Sequence, residues 1–580
     1  MTNAGTLPGF DVREIPFSHY GSWFGISPVT AENVYADDLH LVSHQTGLHA
    51  VLRFIPQMNA ARADVSVTAT PALLTWACQN SEIRLAYESV DTVRLRGSGL
   101  GLRISAADMT LSPFSGPYFY RDPVDGSYIY TLYQTGRRYR ITVLAGEPTE
   151  VFGLEALGVS ERGLALPESE PWEIAIEEFD SARPRYRRTT PFHRIVGLAS
   201  ERFSGFADRI APWRGAETPA AGLAAYVLWS ATVSPAGFVG RPAVLMSKHW
   251  MDKVWSWDHC FNAIALAAGA PELAWSQFKI PFDHQDEAGA LPDSVTHSEV
   301  LYNFVKPPIH GWALRHLRDR LPEPLGSTEL AETYAQLAAW TDFWLTARRV
   351  PGQELPHYQH GNDSGWDNAT TFDAERVVQT ADLAAFLVLQ LAYLAELAGE
   401  LQRPEEAAEW TGKADRIRAA LLEELWSEGR FAPRGAATGV ISASTSLLDL
   451  MAIALGDDLP NEVRAALASE IEAHLTPHGL ATEKPSSPHY RADGYWRGPI
   501  WAPATILIED GLRRAGFTEL ADEISTRYLA LCEKSGFAEN FDALTGAGLR
   551  DHAYTWTASS YLILAAAQEQ RRAAGPHDGK

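Results

Sequence analysis

The hydrophobic pattern along this chain changes period near residue 190. Before that point, short runs rich in β-branched and aromatic residues alternate with polar ones, at 73–78, 83–87, 92–95, 127–133 and 139–144. Turn-forming clusters separate them, among them Gly97-Ser98-Gly99 and Asp122-Pro123-Val124-Asp125-Gly126. Together these predict a β-sandwich over residues 1–190. Residues 191–215 read as a helical linker. Beyond it, apolar residues recur at i, i+3, i+4 and i+7, which predicts helices at 220–232, 308–320, 328–348, 373–398, 404–426, 460–474, 499–515 and 553–572. Weaker patterns at 257–268, 271–282, 444–454 and 519–535 bring the count to about twelve.

Twelve helices joined by polar loops suggest a closed double ring of six helix pairs, an (α/α)6 barrel, spanning residues 216–572. An open solenoid has the same periodicity, but no repeat of fixed length supports one. The expected fold class is therefore mainly α, with an N-terminal β-sandwich ahead of the barrel. The polar stretch 573–580 reads as a disordered tail.

Composition narrows the classes. The 49 basic against 72 acidic residues give a net charge of −23, which argues against nucleic acid or an anionic membrane as partner. A neutral ligand fits better, and 18 Trp, 20 Tyr and 23 Phe supply flat faces on which sugar rings stack, although any one Trp is more often core. Three scattered cysteines, Cys78, Cys260 and Cys532, form neither a disulfide framework nor a zinc spacing. No basic, apolar leader opens the chain, and no apolar run reaches ~18 residues free of charge. The expectation is a cytoplasmic protein, monomeric or a small homo-oligomer, without cofactor or metal.

Candidate chemistry lies in the loops of the helical part. Ser364-Gly365-Trp366-Asp367-Asn368 and Phe537-Ala538-Glu539-Asn540-Phe541-Asp542 each put a carboxyl group beside aromatic rings. Poor solvation there raises a carboxyl pKa, and one protonated carboxyl opposite an ionised one is what cleavage of a glycosidic bond requires. A plainer alternative makes Asp363, Ser364 and Asp367 turn formers or helix caps. In Trp255-Ser256-Trp257-Asp258, an acid between indoles suits a sugar pocket, or Asp258 simply caps the following helix. In Tyr495-Trp496-Arg497-Gly498-Pro499-Ile500-Trp501, Arg497 needs an acidic or hydroxyl partner, either a sugar or a carboxylate, unless it is a structural Arg stacked on indole. His357 and His360, three apart in a loop, show no third ligand, and the acidic stretch 283–287 with Asp293 lacks the spacing of a cation loop.

Five stretches in order carry a resemblance: Trp257-Asp258-His259-Cys260-Phe261, Lys306-Pro307-Pro308-Ile309-His310-Gly311, Ser364-Gly365-Trp366-Asp367-Asn368, Tyr495-Trp496-Arg497-Gly498-Pro499-Ile500-Trp501 and Glu539-Asn540-Phe541. Over roughly residues 200–570 the chain resembles glycoside hydrolase family 63, whose bacterial members include α-glucosidases and the mannosylglycerate and glucosylglycerate hydrolases. More distantly it is similar to the family 37 trehalases. The resemblance implies Asp367 as general acid and Glu539 as general base, with Trp257, Asp258, His310, Trp366, Trp496, Arg497 and Trp501 around the sugar. Lys306 stands where trehalases have Gln, which argues against trehalose. The compact mannosylglycerate type largely lacks an N-terminal sandwich, so residues 1–190 point away from that narrow specificity.

The expected activity is an inverting, exo-acting α-glycosidase, an α-glucosidase on a short α-glucoside or glycoconjugate. For inversion the two carboxyl groups should stand ~6.5–9.5 Å apart. A glycoside phosphorylase on the same barrel is the nearest rival, and Glu539 argues against it. A non-catalytic sugar-binding protein would not need the two acids. A barrel lyase would need an anionic substrate that this acidic chain repels.

Overall fold

The computed structural model describes residues 7–574. Two antiparallel sheets account for the first 180 or so residues. One has seven strands, in the spatial order Phe24–Ala31, Val34–Ser43, His49–Met58, Gly101–Ala106, Gly163–Leu166 and Glu150–Phe152, with Ala61–Arg62 paired to the third. The other has eight: Pro117–Arg121, Tyr128–Leu132, Arg138–Ala145, Trp172–Phe179, Thr92–Ser98, Ser81–Ser89, Leu73–Cys78 and Ser66–Thr70. Phe24, Ile26, Leu41, Leu52 and Phe54 of the first sheet share one core with Ile83, Leu85, Leu95, Ile141 and Ile174 of the second. That is the two-layer arrangement alternating apolar positions demand. Every strand expected from the sequence is present, while the three strands between Phe24 and Met58 carry no clear alternation and were missed.

The chain divides into two compact units. The first holds residues up to Pro212 together with Ala225–Lys253 and Thr296–Glu299; the second holds Trp213–Ala224, Val254–Val295 and Val300 onward. The linker region is one helix, Phe192–Ile210, which packs on strand Ser81–Ser89. A single cut near residue 215 is too simple, because buried polar groups draw residues 225–253 back to the sandwich. Lys248 Nζ donates to Ser18 Oγ (3.1 Å) and to the Ser22 carbonyl (2.6 Å), and Tyr226 Oη accepts from Ser18 N (3.1 Å).

In the second unit, six helical segments make a ring: Asp258–Leu266, His310–Arg318, Ala381–Glu400, Leu447–Asp458, Ala502–Arg514 and Thr555–Ala574. Each packs against the next, and the last packs back on the first. The helices Pro271–Lys279, Ser327–Thr346, Pro404–Ala420, Asn461–His474 and Thr518–Ser535 lie in sequence between them, each packed against a ring helix. Since one such helix carries the chain back between successive ring members, the ring helices run the same way and their N-termini gather at one end. Ala381–Glu400 is long and apolar enough to cross a membrane by length and composition; 78% of its apolar window is buried inside the unit.

Several expected boundaries move. The helix expected from 373 begins at Ala381, because the preceding residues belong to the Asp367 loop and Asp373 pairs with Arg497. The helix expected to reach 426 leaves α geometry after Ala420, passes through a π-turn at Leu421–Leu425 and ends in a short hairpin, Trp426–Ser427 with Arg430–Phe431. The segment expected at 444–454 is the 3-10 stretch Leu447–Asp458, kinked at Gly456. The last helix continues to Ala574, so the expected tail begins as helix; residues 575–580 lie outside the described residues.

Candidate active site

The five sequence motifs all lie at or just before the N-terminus of a ring helix. Asp258 opens the first, Lys306 and His310 lead into the second, the Asp367 loop precedes the third, Trp496 to Trp501 precede the fifth and Glu539 precedes the sixth. Two of these loops are fastened to a third. Asn368 accepts at Oδ1 from Trp496 N (3.0 Å) and donates from Nδ2 to the Gly494 carbonyl (3.1 Å). Ile500 and Phe541 exchange backbone hydrogen bonds of 2.8 and 3.1 Å. The segment 494–501 therefore ties the Asp367 loop to the Glu539 loop.

The Asp367 loop is built tightly. His360 caps the one-turn helix Gly361–Ser364 by accepting at Nδ1 from Asn362 N (3.1 Å). Asp363 is a brace: its carboxylate accepts from Val305 N (3.1 Å), Gln359 N (2.8 Å) and Arg348 Nη1 (2.7 Å). Gly365 stands at φ 72°, and a Cβ there would lie 2.5 Å from Cζ2 of Trp257. Only glycine accepts both the backbone angle and the indole against it. The turn delivers Asp367 to a half-buried position, where burial raises its carboxyl above the ordinary value while the Lys306 charge and the Tyr495 hydroxyl oppose the rise.

Around Asp367 the other acids gather. Glu539 is 1% exposed, its Oε2 has no hydrogen-bond partner among the described residues, and its pKa is pushed up to about 8. Burial is the main cause; Asp551, Asp367 and Asp258 add to it, and Arg550 opposes. Asp258 is likewise pushed up to about 8 by burial, with Lys306 opposing and Asp293 and Asp367 adding. Lys306 Nζ pairs with Asp293 Oδ1 (3.0 Å) and donates to the Asn362 carbonyl (2.9 Å). Burial works against its charge, but Asp293, Asp367 and Asp258 outweigh that and raise its pKa. The sequence suggested one carboxyl raised and the other ordinary; burial raises both. The two are coupled, since a negative charge on Asp367 makes Glu539 harder to ionise, and the pair gives up its protons one at a time. Such a group can hold one proton and release another within a single site.

The tryptophans stack mainly on one another. Trp496 lies on Trp501 with centroids 3.9 Å apart at 8°, and Trp366 lies 4.6 Å from Trp496. Trp257 and Trp501 meet Trp556 edge-on at 5.8 and 5.6 Å. All five are buried, so the mutual faces of Trp496 and Trp501 are closed to a ligand. Arg497 donates from Nε to the Asn368 carbonyl (2.6 Å) and from Nη2 to Asp373 (2.5 Å), bracing the Asp367 loop. His310 is fully buried, accepts at Nδ1 from Trp340 Nε1 (3.1 Å) and meets Phe282 edge-on at 5.4 Å. Among the residues expected around the sugar, Asp258 is the one brought into the carboxyl cluster.

Sequence reading missed Asp293, Tyr495 and Arg550 and gave Lys306 no role in the site. Arg550 donates from Nη1 to Asn540 Oδ1 (2.9 Å), pairs with Asp493 (2.6 Å) and lies 5.0 Å over the Tyr495 ring. Tyr495 and Arg550 both adopt positive φ, 62° and 63°. Non-glycine residues seldom do so, and such strain gathers at functional sites. The available signals were Tyr495 inside the Trp-Arg-Gly-Pro motif and a lysine before two prolines.

His259, Cys260 and His310 bring possible metal donors within 4.8 Å of one another. The donor set does not fit a cation. Trp340 donates to His310 Nδ1 (3.1 Å), which puts that ring's proton on Nε2 and leaves it no lone pair to offer. In the sandwich unit a cavity of about 710 Å³ is lined by Asp11, Asp38, Arg62, Asp64 and Trp76. Its buried Asp38 is already bonded by Arg53 (2.7 Å) and Arg62 (2.9 Å).

Residues 251–557, just over half the chain, match the model of the mannosylglycerate hydrolase MGH1-like glycoside hydrolase domain. The chain belongs to glycoside hydrolase family 63. This family-63 glycoside hydrolase is 25% identical over 401 residues to a mannosylglycerate hydrolase of Rubrobacter radiotolerans, covering 53% of this chain and 89% of the relative. It is 22% identical over 445 residues to a glucosylglycerate hydrolase of Mycolicibacterium hassiacum, covering 60% and 97%. Those relatives are matched almost end to end yet leave 40% or more of the family-63 chain uncovered. A solved structure of bacterial glucoamylase complexed with acarbose covers 98% of this chain and 96% of its own, with a TM-score of 0.64 at 12% identity. At that identity the likeness is one of fold alone.

Proposed function

We propose that this family-63 hydrolase is an inverting, exo-acting α-glycosidase whose catalytic domain is an (α/α)6 barrel built on the ring helices from Asp258 to Ala574. Its substrate is a glucosyl or mannosyl unit linked α to a small polar aglycone such as glycerate. The observation that carries the reading is the coupling of Asp367 to Glu539: the charge of one acts on the other, and both loops are fastened to 494–501.

In this mechanism Asp367 gives its proton to the glycosidic oxygen as the bond from that oxygen to C1 breaks, and the aglycone leaves as an alcohol. Glu539 takes a proton from a water that attacks C1 on the opposite face of the ring. Arg550 favours the ionised form of Glu539 that this step needs. Asp258 faces the same cluster and suits hydrogen bonds from sugar hydroxyls. A phosphorylase would need a free cationic pocket in place of the base. Lys306 and Arg550, the cations acting on the cluster, are committed to Asp293 and Asp493. The free cysteines Cys78, Cys260 and Cys532 suit a reducing compartment, and we place the enzyme in the cytoplasm.

Hydrolysis of α-mannosylglycerate, α-glucosylglycerate and neutral α-disaccharides tests the reading. Wild type should cleave at least one without phosphate, and Asp367→Asn and Glu539→Gln should each lose about 10²–10⁴-fold. Binding without cleavage would make the protein a carrier, and dependence on phosphate would make it a phosphorylase.

A further inference from the structure

Beside the Asp367 loop lies a lattice of buried hydroxyl and carboxyl groups that the proposed chemistry does not use. Thr370 Oγ1 donates to Glu483 Oε2 (3.0 Å), and Thr371 Oγ1 donates to Asp449 Oδ1 (2.9 Å). The Ser444 hydroxyl lies 3.1 Å from Thr370 Oγ1, and Thr445 donates to the second oxygen of Glu483. Asp449 sits in the first turn of ring segment Leu447–Asp458, and Glu483 bridges to Ser446 just ahead of it. Thr370, Thr371 and Glu483 are at most 2% exposed.

The two threonines follow Asp367 by three and four residues with no slack chain between. Consecutive turn bonds run from Ala369 N to the Trp366 carbonyl (2.9 Å), Phe372 N to Ala369 (3.1 Å) and Asp373 N to Thr370 (3.1 Å). Whatever holds Thr370 and Thr371 therefore holds the peptide of Asp367. Burying acids here is costly, and burial pushes Asp449 up to about 7. Apolar side chains would close the turn without that cost.

We propose that Glu483 and Asp449 are positioning residues: through Thr370 and Thr371 they pin the turn that carries Asp367 and so set where its proton donor stands over the glycosidic oxygen. The inference rests on the reading of Asp367 as the acid. It predicts a defect confined to substrates whose leaving group must be protonated. A glycerate alkoxide must be, whereas fluoride departs from a glycosyl fluoride without a proton.

The test compares kcat and KM of full-length Thr370→Val, Thr371→Val and Thr370→Ser on the preferred glycerate conjugate and on the matching α-glycosyl fluoride. A misplaced donor should cost the valine variants about 10²-fold in kcat on the conjugate. On the fluoride they should stay within roughly threefold of wild type, with KM little changed on either. Thr370→Ser, which restores the hydroxyl, should behave as wild type. Equal losses on both substrates, or no loss on the conjugate, overturn the inference. Asp367→Asn is the reference. If it shows the split and the threonine variants do not, positioning fails and the acid stands; if it loses both substrates equally, the acid assignment itself fails. Should Thr370→Val not fold, Thr371→Val and Glu483→Gln carry the same comparison.

Discussion

Tyr495, on a backbone held at φ 62°, acts on the carboxyl group of Asp367. Trp501 secures that unusual conformation, its Nε1 donating to the Tyr495 carbonyl (2.8 Å). The Tyr495 hydroxyl favours the ionised carboxylate, so it lowers a pKa that burial raises. Tyr495→Phe removes it while the ring remains. Asp367 should then stay protonated to higher pH, and the alkaline limb of the kcat/KM profile should move upward. The rate at the optimum should fall roughly tenfold, since the acid is then less well matched to the working pH. An alkaline limb that stays in place separates Tyr495 from the proton donor.

Lys306, one of the two cations acting on the cluster, is paired with Asp293 at 3.0 Å in a buried setting. Lys306→Met leaves Asp293 buried without its partner, a change that costs about 3–5 kcal/mol. It also removes the charge that opposes the rise of Asp367 and Asp258. Chemical denaturation should show the loss of stability, and the alkaline limb should again move upward. The paired variant Lys306→Met with Asp293→Leu should recover much of the stability without restoring the pH profile.

Glu539 predicts a dependence of stability on pH. Its ordinary value is 4.5, and in the folded chain it is pushed up to about 8. The folded state therefore binds the extra proton. Stability from this group is intact below the unfolded value and declines as pH rises toward the folded one. Glu539→Gln cannot ionise. It should match wild type near pH 4.5 and exceed it near pH 8, by on the order of a few kcal/mol, because each pH unit of the window is worth about 1.4 kcal/mol. A stability difference constant across that window would contradict the buried setting of Glu539.

Much of the architecture was legible because it rests on local pattern. Alternation marked the strand 73–78 in full and the first four residues of Thr92–Ser98, and the 3.6-residue period marked helices such as Ser327–Thr346 to within two residues. The order of five motifs led to the family. Partnerships were not legible, because they join residues far apart in sequence. Nothing near Lys306 announces Asp293, and nothing near Tyr495 announces Asp367. The indoles misled for a related reason. Trp366, Trp496 and Trp501 have the composition of a sugar platform, but three large rings near one glycine-rich turn bury more apolar surface by stacking on each other. Arg497 found its acidic partner, as desolvation requires, in Asp373 rather than in the carboxyl cluster.

The central claim is that Asp367 and Glu539 act on opposite sides of the sugar with a water between them. Proton magnetic resonance during the first turnovers of an α-glycoside reads this directly, through the anomeric signal of the released sugar before mutarotation. The account predicts the β-anomer first. Initial release of the α-anomer would mean a covalent, retaining route and would contradict it.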